Sequence, residues 1–162
     1  MKLSHLADYA VVLMTAAARC SPGERLSATA LSEETGVPLP TAQKLMGQLA
    51  ASGLLSSARG ASGGFALARP AAEISLADIV EAVEGPIALT MCSDGTNHDC
   101  VLDAHCRVRP HMGVVGQAVR GALGAVSLEK LCAPAQAVAQ TGEADRSAAR
   151  DWAPASAGAQ SA

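Results

Sequence analysis

Three cysteines, Cys92, Cys100 and Cys106, fall inside a 15-residue window that also carries two histidines and three aspartates, with C-x7-C-x5-C spacing. A zinc knuckle or ribbon brings in two ligands as a C-x2–4-C pair, and this window contains none. Three thiolates on a polar loop suit an iron–sulfur cluster, which tolerates varied spacing and takes a fourth ligand from elsewhere. On spacing alone, the open alternative is a set of reduced or oxidation-sensing thiols, although free cysteines prefer burial. A second set of residues points to DNA. Thr41, Gln43, Lys44 and Gln48 face away from the apolar stripe formed by Ala42, Leu45, Met46 and Leu49. Gln makes a bidentate contact with adenine, and Lys reaches guanine or a phosphate. Arg59, followed by Gly60 in a Gly-rich tip, suits a minor groove, where negative potential is focused.

These residues need elements to hold them. Leu3, Leu6, Ala10, Leu13, Met14 and Ala17 recur at helical spacing and predict a first helix over residues 4–18. Ser27 reads as the N-cap of a short helix over 28–35 that stops at Gly36. Pro40 fits the first turn of a third helix, which stops at Gly53. Two short helices joined by a tight Gly-containing turn outline a helix-turn-helix. Leu54-Leu55-Ser56 and Gly64-Phe65-Ala66-Leu67 then pair around a Gly-rich tip bearing Arg59, as a two-stranded wing. Ser75 and Asp78 form a capping box for a helix over 76–84, closed by Gly85-Pro86, with Leu76, Ile79, Val80 and Val83 facing the core. A further helix opens near Pro110, with Met112, Val115, Val119, Ala122, Leu123 and Val126 on one stripe. Its four glycines each cost roughly 1 kcal/mol relative to Ala, so packing must hold it, and the glycines allow close approach of a partner chain.

Composition narrows the function further. The aromatic residues are Tyr9, Phe65 and Trp152 alone, which excludes binding modes that stack single-stranded bases on aromatic platforms. The net charge of −3 is unevenly distributed. Residues 1–70 hold six Lys/Arg against four acids, and residues 71–162 hold six against eleven. Polyanion contacts therefore belong to the first half. No nucleophile–base pair, phosphate loop or carboxylate dyad is present, so an enzyme is not expected. No apolar run is long enough to span a membrane. Lys2 followed by an Ala-rich run resembles a short signal peptide, but His5, Asp8 and Arg19 interrupt its pattern. The expected compartment is cytoplasmic, where thiols stay reduced and bind metal or do redox work more often than they bridge.

Taken together, the pattern resembles the Rrf-two family of bacterial winged-helix regulators, in its cluster-binding (IscR/RirA/NsrR-like) form. The residues that carry the resemblance begin with Met1-Lys-Leu-Ser and Asp8-Tyr-Ala. They continue through Leu54-Leu-Ser-Ser-Ala-Arg-Gly-Ala-Ser-Gly-Gly-Phe-Ala-Leu and Ile74-Ser-Leu-Ala-Asp-Ile-Val-Glu-Ala-Val-Glu-Gly. The cysteine triad, Cys106-Arg-Val-Arg-Pro-His111 and Val126-Ser-Leu-Glu-Lys-Leu131 complete them. The match spans roughly residues 1–132, and its last segment is most similar to regulators of the SUF cluster-assembly operon.

The resemblance implies a mainly α winged helix-turn-helix and a homodimer on double-stranded operator DNA, with half-sites about 34 Å apart. It implies a 2Fe–2S or 4Fe–4S cluster held by Cys92, Cys100 and Cys106, whose state sets operator affinity in a repressor of cluster-assembly or iron-linked genes. A nitric-oxide or redox sensor of the same architecture, and a zinc or cluster carrier without a DNA role, remain alternatives. Two positions depart from the family pattern. Seven residues, where many relatives have five, separate the first two cysteines, and Arg109 stands where IscR-type members place a histidine. The fourth ligand is therefore open among Asp8 from the partner chain, His111, His105, a further thiol, water or none. The implied organisation is a DNA-binding domain over 1–86, a cluster loop over 87–109, a dimerisation helix with a C-terminal segment over 110–132, and a disordered tail over 133–162.

Overall fold

The computed structural model describes residues 3–20, 24–58, 60, 63–87 and 106–133. Helix α1 (His5–Arg19) opens on Ser4, whose hydroxyl accepts the Ala7 N–H at 3.2 Å. Asp8 in its first turn and Arg19 in its last complement the helix dipole. The buried face is Ala7, Ala10, Leu13, Met14 and Ala16. Apart from Leu13 and Met14 that face is alanine, which lets α1 lie close to the helices it meets. Leu3 and Leu6, predicted for the stripe, stand 39% and 38% exposed instead.

Helices α2 (Ala28–Thr35) and α3 (Leu39–Ala51) form the helix-turn-helix. The Ser27 hydroxyl accepts from Ala30 at 3.0 Å, and Gly36 ends α2 in the left-handed conformation at φ 75°. Ser32 Oγ donates to the Val37 carbonyl at 2.6 Å, and Thr35 Oγ1 donates to that of Leu31. The turn into α3 is thus braced by side chains of α2. Helix α3 buries Ala42, Leu45, Met46 and Leu49, as its spacing predicts.

Strands β1 (Leu55–Ala58) and β2 (Gly64–Leu67) pair antiparallel, from Leu55 opposite Leu67 to Ala58 opposite Gly64. Leu26 adds an isolated bridge to Phe65 through two backbone bonds of 2.9 Å. After a 3-10 turn at Ala71–Glu73, helix α4 (Leu76–Glu84) carries the predicted capping box. Ser75 N–H donates to Asp78 Oδ2 at 2.9 Å, and Asp78 N–H donates to Ser75 Oγ at 3.2 Å. Ala77, Ile79 and Val80 are buried, while Leu76 and Val83 are half-buried.

Burial works to raise the Asp78 carboxyl. The Ser75 hydrogen bonds and the cations Arg69 and Arg120 outweigh it and hold the group below its ordinary value. A depressed carboxylate contributes stability above its unfolded pKa and loses it as pH falls through the folded value. We therefore expect the acid limb of wild-type stability, below about pH 4, to be shallower in Asp78→Asn. Parallel acid limbs in urea melts of the two proteins would remove Asp78 from that role.

The helix expected from Pro110 onward is broken in two. Helix α5 (Arg109–Gly124) ends before a bend at residues 125–126, and α6 (Leu128–Cys132) follows. Val126 fits the helical stripe in the sequence, but its carbonyl accepts from Leu76 N–H at 2.8 Å. Leu128 N–H donates to the Ile74 carbonyl at 2.7 Å, and its side chain is fully buried. Residues 126–132 therefore return to the winged domain and pack on α1. Met1–Cys132 make one compact unit. The predicted tail, apart from Ala133, lies outside the described residues. Among the described residues, no helix is long and apolar enough to cross a membrane.

Candidate nucleic-acid interface and thiol segment

Helix α3 begins at Pro38 without a side-chain cap, and Pro40 lies in its first turn. On the outward side of this end, Gln43 and Lys44 are exposed and Thr41 is half-buried. Those three predicted residues thus share the accessible N-terminal half of the second helix of the motif. Gln48 differs from them. It is half-buried, and its Oε1 is shut away from solvent with no hydrogen-bond partner among the described residues. Its exposure thus differs from that of Gln43 and Lys44.

Gly63 N–H donates to the Gly60 carbonyl at 2.9 Å, closing the turn between β1 and β2. Arg59 itself lies outside the described residues. Sequence reasoning missed Arg25, whose Nη1 donates to the Gly64 carbonyl at 3.3 Å from an exposed position. No periodicity marks such a residue, because it belongs to neither helix nor hairpin. The signal is tertiary: the bridge at Leu26 carries it there.

The thiol segment is described at its two ends. Cys92 and Cys100 lie outside the described residues, as do His98 and His105. Cys106 is half-buried just before α5, and His111 is exposed in the first turn of that helix. Asp8 is exposed on the first turn of α1. That turn lies beside the exit of α4, because Ser4 N–H donates to Glu84 Oε1 at 3.0 Å. The first turn of α1 and the start of the cysteine-bearing segment are therefore neighbours. Among the described residues, no three His, Cys, Asp or Glu side chains come together as a metal site. Cys20 and Cys132, read as bystanders, are half-buried at the ends of α1 and α6, and burial pushes both thiols up.

Glu81 joins the two ends of this segment. Its carboxylate accepts Arg120 Nε at 2.9 Å and Nη2 at 3.1 Å, a bidentate tie from α4 to α5. The Glu81 Oε1 also accepts the Ile87 N–H at 3.5 Å. Nothing in the sequence marks this pair, because the two residues lie 39 positions apart.

The sequence pattern of the Rrf2 family (the Rrf-two family above), described as "Iron-dependent Transcriptional regulator", matches residues 3–134. The chain belongs to the Rrf2 family. It is 30% identical over 131 residues to the HTH-type transcriptional regulator IscR of Xenorhabdus nematophila, covering 81% of this chain and 79% of that one. The solved structure of CymR, the global cysteine regulator of B. subtilis, superposes with a TM-score of 0.62 at 24% identity. That superposition covers 82% of this chain and 96% of CymR. The oxidised form of Staphylococcus aureus CymR superposes at 0.60 and 27% identity, over 83% of this chain and 98% of that one. The Rrf2 fold thus accounts for the winged helix, its two-stranded wing and the mainly helical remainder. As an Rrf2-family protein, the chain is a transcriptional regulator, and its relatives carry regulatory rather than catalytic names.

Proposed function

We propose that this Rrf2-family regulator senses iron–sulfur status and represses cluster-assembly or iron-linked genes from a double-stranded operator. The observation that carries this reading is the position of the cysteine triad. It lies between α4, which packs on the DNA-binding helices, and α5, which Glu81 ties back to α4. Thiolates with a carboxylate or imidazole fourth donor form the donor set that an iron–sulfur cluster takes. Cys106 at the mouth of α5, and Asp8 and His111 on exposed first turns, fit that chemistry. Bound there by Cys92, Cys100 and Cys106, a cluster would supply a redox-sensitive and loss-sensitive link between the two ends of the segment. The chain's own part is to hold Ile87 and Arg120 on one carboxylate, so that the order of the segment bears on the pose of α4. Coupling of about 1–3 kcal/mol changes occupancy 5- to 150-fold.

A homodimer belongs to the same reading. Val108, Val114 and Val115 stand 58%, 66% and 43% exposed around α5, and Leu3, Leu6 and Val12 are exposed on and just before α1. Apolar side chains gathered on two elements of one chain suit burial against a second copy. The resulting two-fold symmetry places two α3 helices on two half-sites.

Anaerobically purified protein is expected to be brown, with visible absorption that disappears in Cys106→Ala. Cluster-loaded and cluster-free protein should bind promoter DNA with different affinities, and both affinities should fall steeply with salt. A colourless protein holding one zinc would overturn the cluster, and a flat salt response would overturn DNA binding. The likeness to S. aureus CymR, solved in an oxidised form, favours a second reading, a cysteine- or thiol-responsive regulator without a cluster. A colourless, metal-free protein that still binds DNA would decide for it.

A further inference from the structure

We propose that Arg25 grips a DNA phosphate where the wing meets the helix-turn-helix. This rests on the DNA-binding reading above and adds to it a contact that neither α3 nor the wing tip supplies. Leu26 is fixed on β2 by its two 2.9 Å bonds with Phe65, so the preceding residue runs alongside the wing. Arg25 Nη1 reaches the Gly64 carbonyl at 3.3 Å, and Gly64 pairs with Ala58, the residue before Arg59. The guanidinium therefore stands beside the last paired residues of the wing. Two residues later, Ser27 caps α2. In a helix-turn-helix, the first helix crosses the phosphate backbone while the second enters the major groove. The entry to α2 is thus where phosphates pass, and a wing lies on its flank.

The chemistry of the contact suits that place. A carbonyl bond engages one of the five guanidinium donors and orients the group without neutralising it. The planar fork that remains matches two oxygens of one phosphate.

The test is the salt dependence of full-length protein binding a mixed-sequence duplex of about 30 base pairs, where phosphate contacts dominate. Each neutralised phosphate contributes about 0.9 to the slope of log K against log salt. Arg25→Gln should lower the slope by about 0.9 per bound subunit, or about 1.8 for a dimer. Arg25→Lys should keep the wild-type slope, and thermal melts should show both variants folded. A steep wild-type slope that Arg25→Gln leaves unchanged would overturn the phosphate contact alone. The contact is overturned equally if Arg25→Gln weakens binding only by lowering the melting temperature, because that is the behaviour of a wing brace. A wild-type slope near zero would overturn the contact together with the DNA-binding reading.

Discussion

Replacing Leu128 by alanine is expected to cost about 2–5 kcal/mol, the range for emptying a fully buried leucine site. The residue belongs to a five-residue helix, too short to be stable alone. What holds α6 is its place in the core. Leu128 is fully buried beside Ile74, its N–H donates to the Ile74 carbonyl at 2.7 Å, and Ser127 bridges Ser75. Emptying the site removes packing from the helix that also reaches α1, where Cys132 Sγ lies 3.7 Å from the Thr15 carbonyl. Leu131, half-buried on the same helix, should cost less when cut to alanine. Urea melts of the two variants measure the difference. A Leu128→Ala loss below about 1 kcal/mol, the centre of the range for ordinary substitutions, would show that α6 does not support the DNA-binding half.

Gly64→Ala is the second large effect. At φ 143° the backbone disfavours any L side chain, and an added Cβ would lie 2.9 Å from the Leu26 carbonyl oxygen. That oxygen cannot simply move, because it accepts the Phe65 N–H. The strain costs about 1–3 kcal/mol, and loss of the bridge adds about 1 kcal/mol for each of its two bonds. DNA affinity should fall as well, since the bridge sets the angle of the wing and the place of Arg25. Gly60→Ala is the control: φ is 105°, but among the described residues nothing beyond its chain neighbours lies within 4 Å of the added carbon. It should show the strain without the collision. Equal melting temperatures for the two variants would mean that the Leu26 bridge does not fix the wing.

The parts of this fold that were legible in the sequence are those decided locally. Ser27 and Gly36 bound α2, and Ser75, Asp78 and Gly85 bound α4, because a cap is satisfied within its own turn. The strands follow for the same reason, from a short Gly-rich connection between apolar pairs. Faces were harder. Leu3 and Leu6 fit the helical period of α1, yet Ala7 and Ala16 are buried in their place, because neighbouring helices select the face. The bend after Gly124 is hidden in the sequence because Val126 keeps the period while its carbonyl is claimed by Leu76. Of the candidate site, Gln43 and Lys44 stand exposed on α3 as expected, whereas the seclusion of Gln48 Oε1 depends on tertiary contacts. Arg25 and the Glu81–Arg120 pair were invisible because their partners lie 39 residues away.

One carboxylate has a consequence for how this chain can vary. Glu81 holds Ile87 at one bank of the cysteine-bearing segment and, through Arg120, the helix that rises from the other. The chain between them leaves and returns to one carboxylate. Changing the length of a chain closed between fixed ends costs only (3/2)RT ln of the length ratio. For two residues added to a segment of this size, that is about 0.1 kcal/mol. The seven-residue gap between Cys92 and Cys100 is therefore nearly free for the fold. A change of gap therefore leaves the Glu81 anchorage, and the helices behind it, in place.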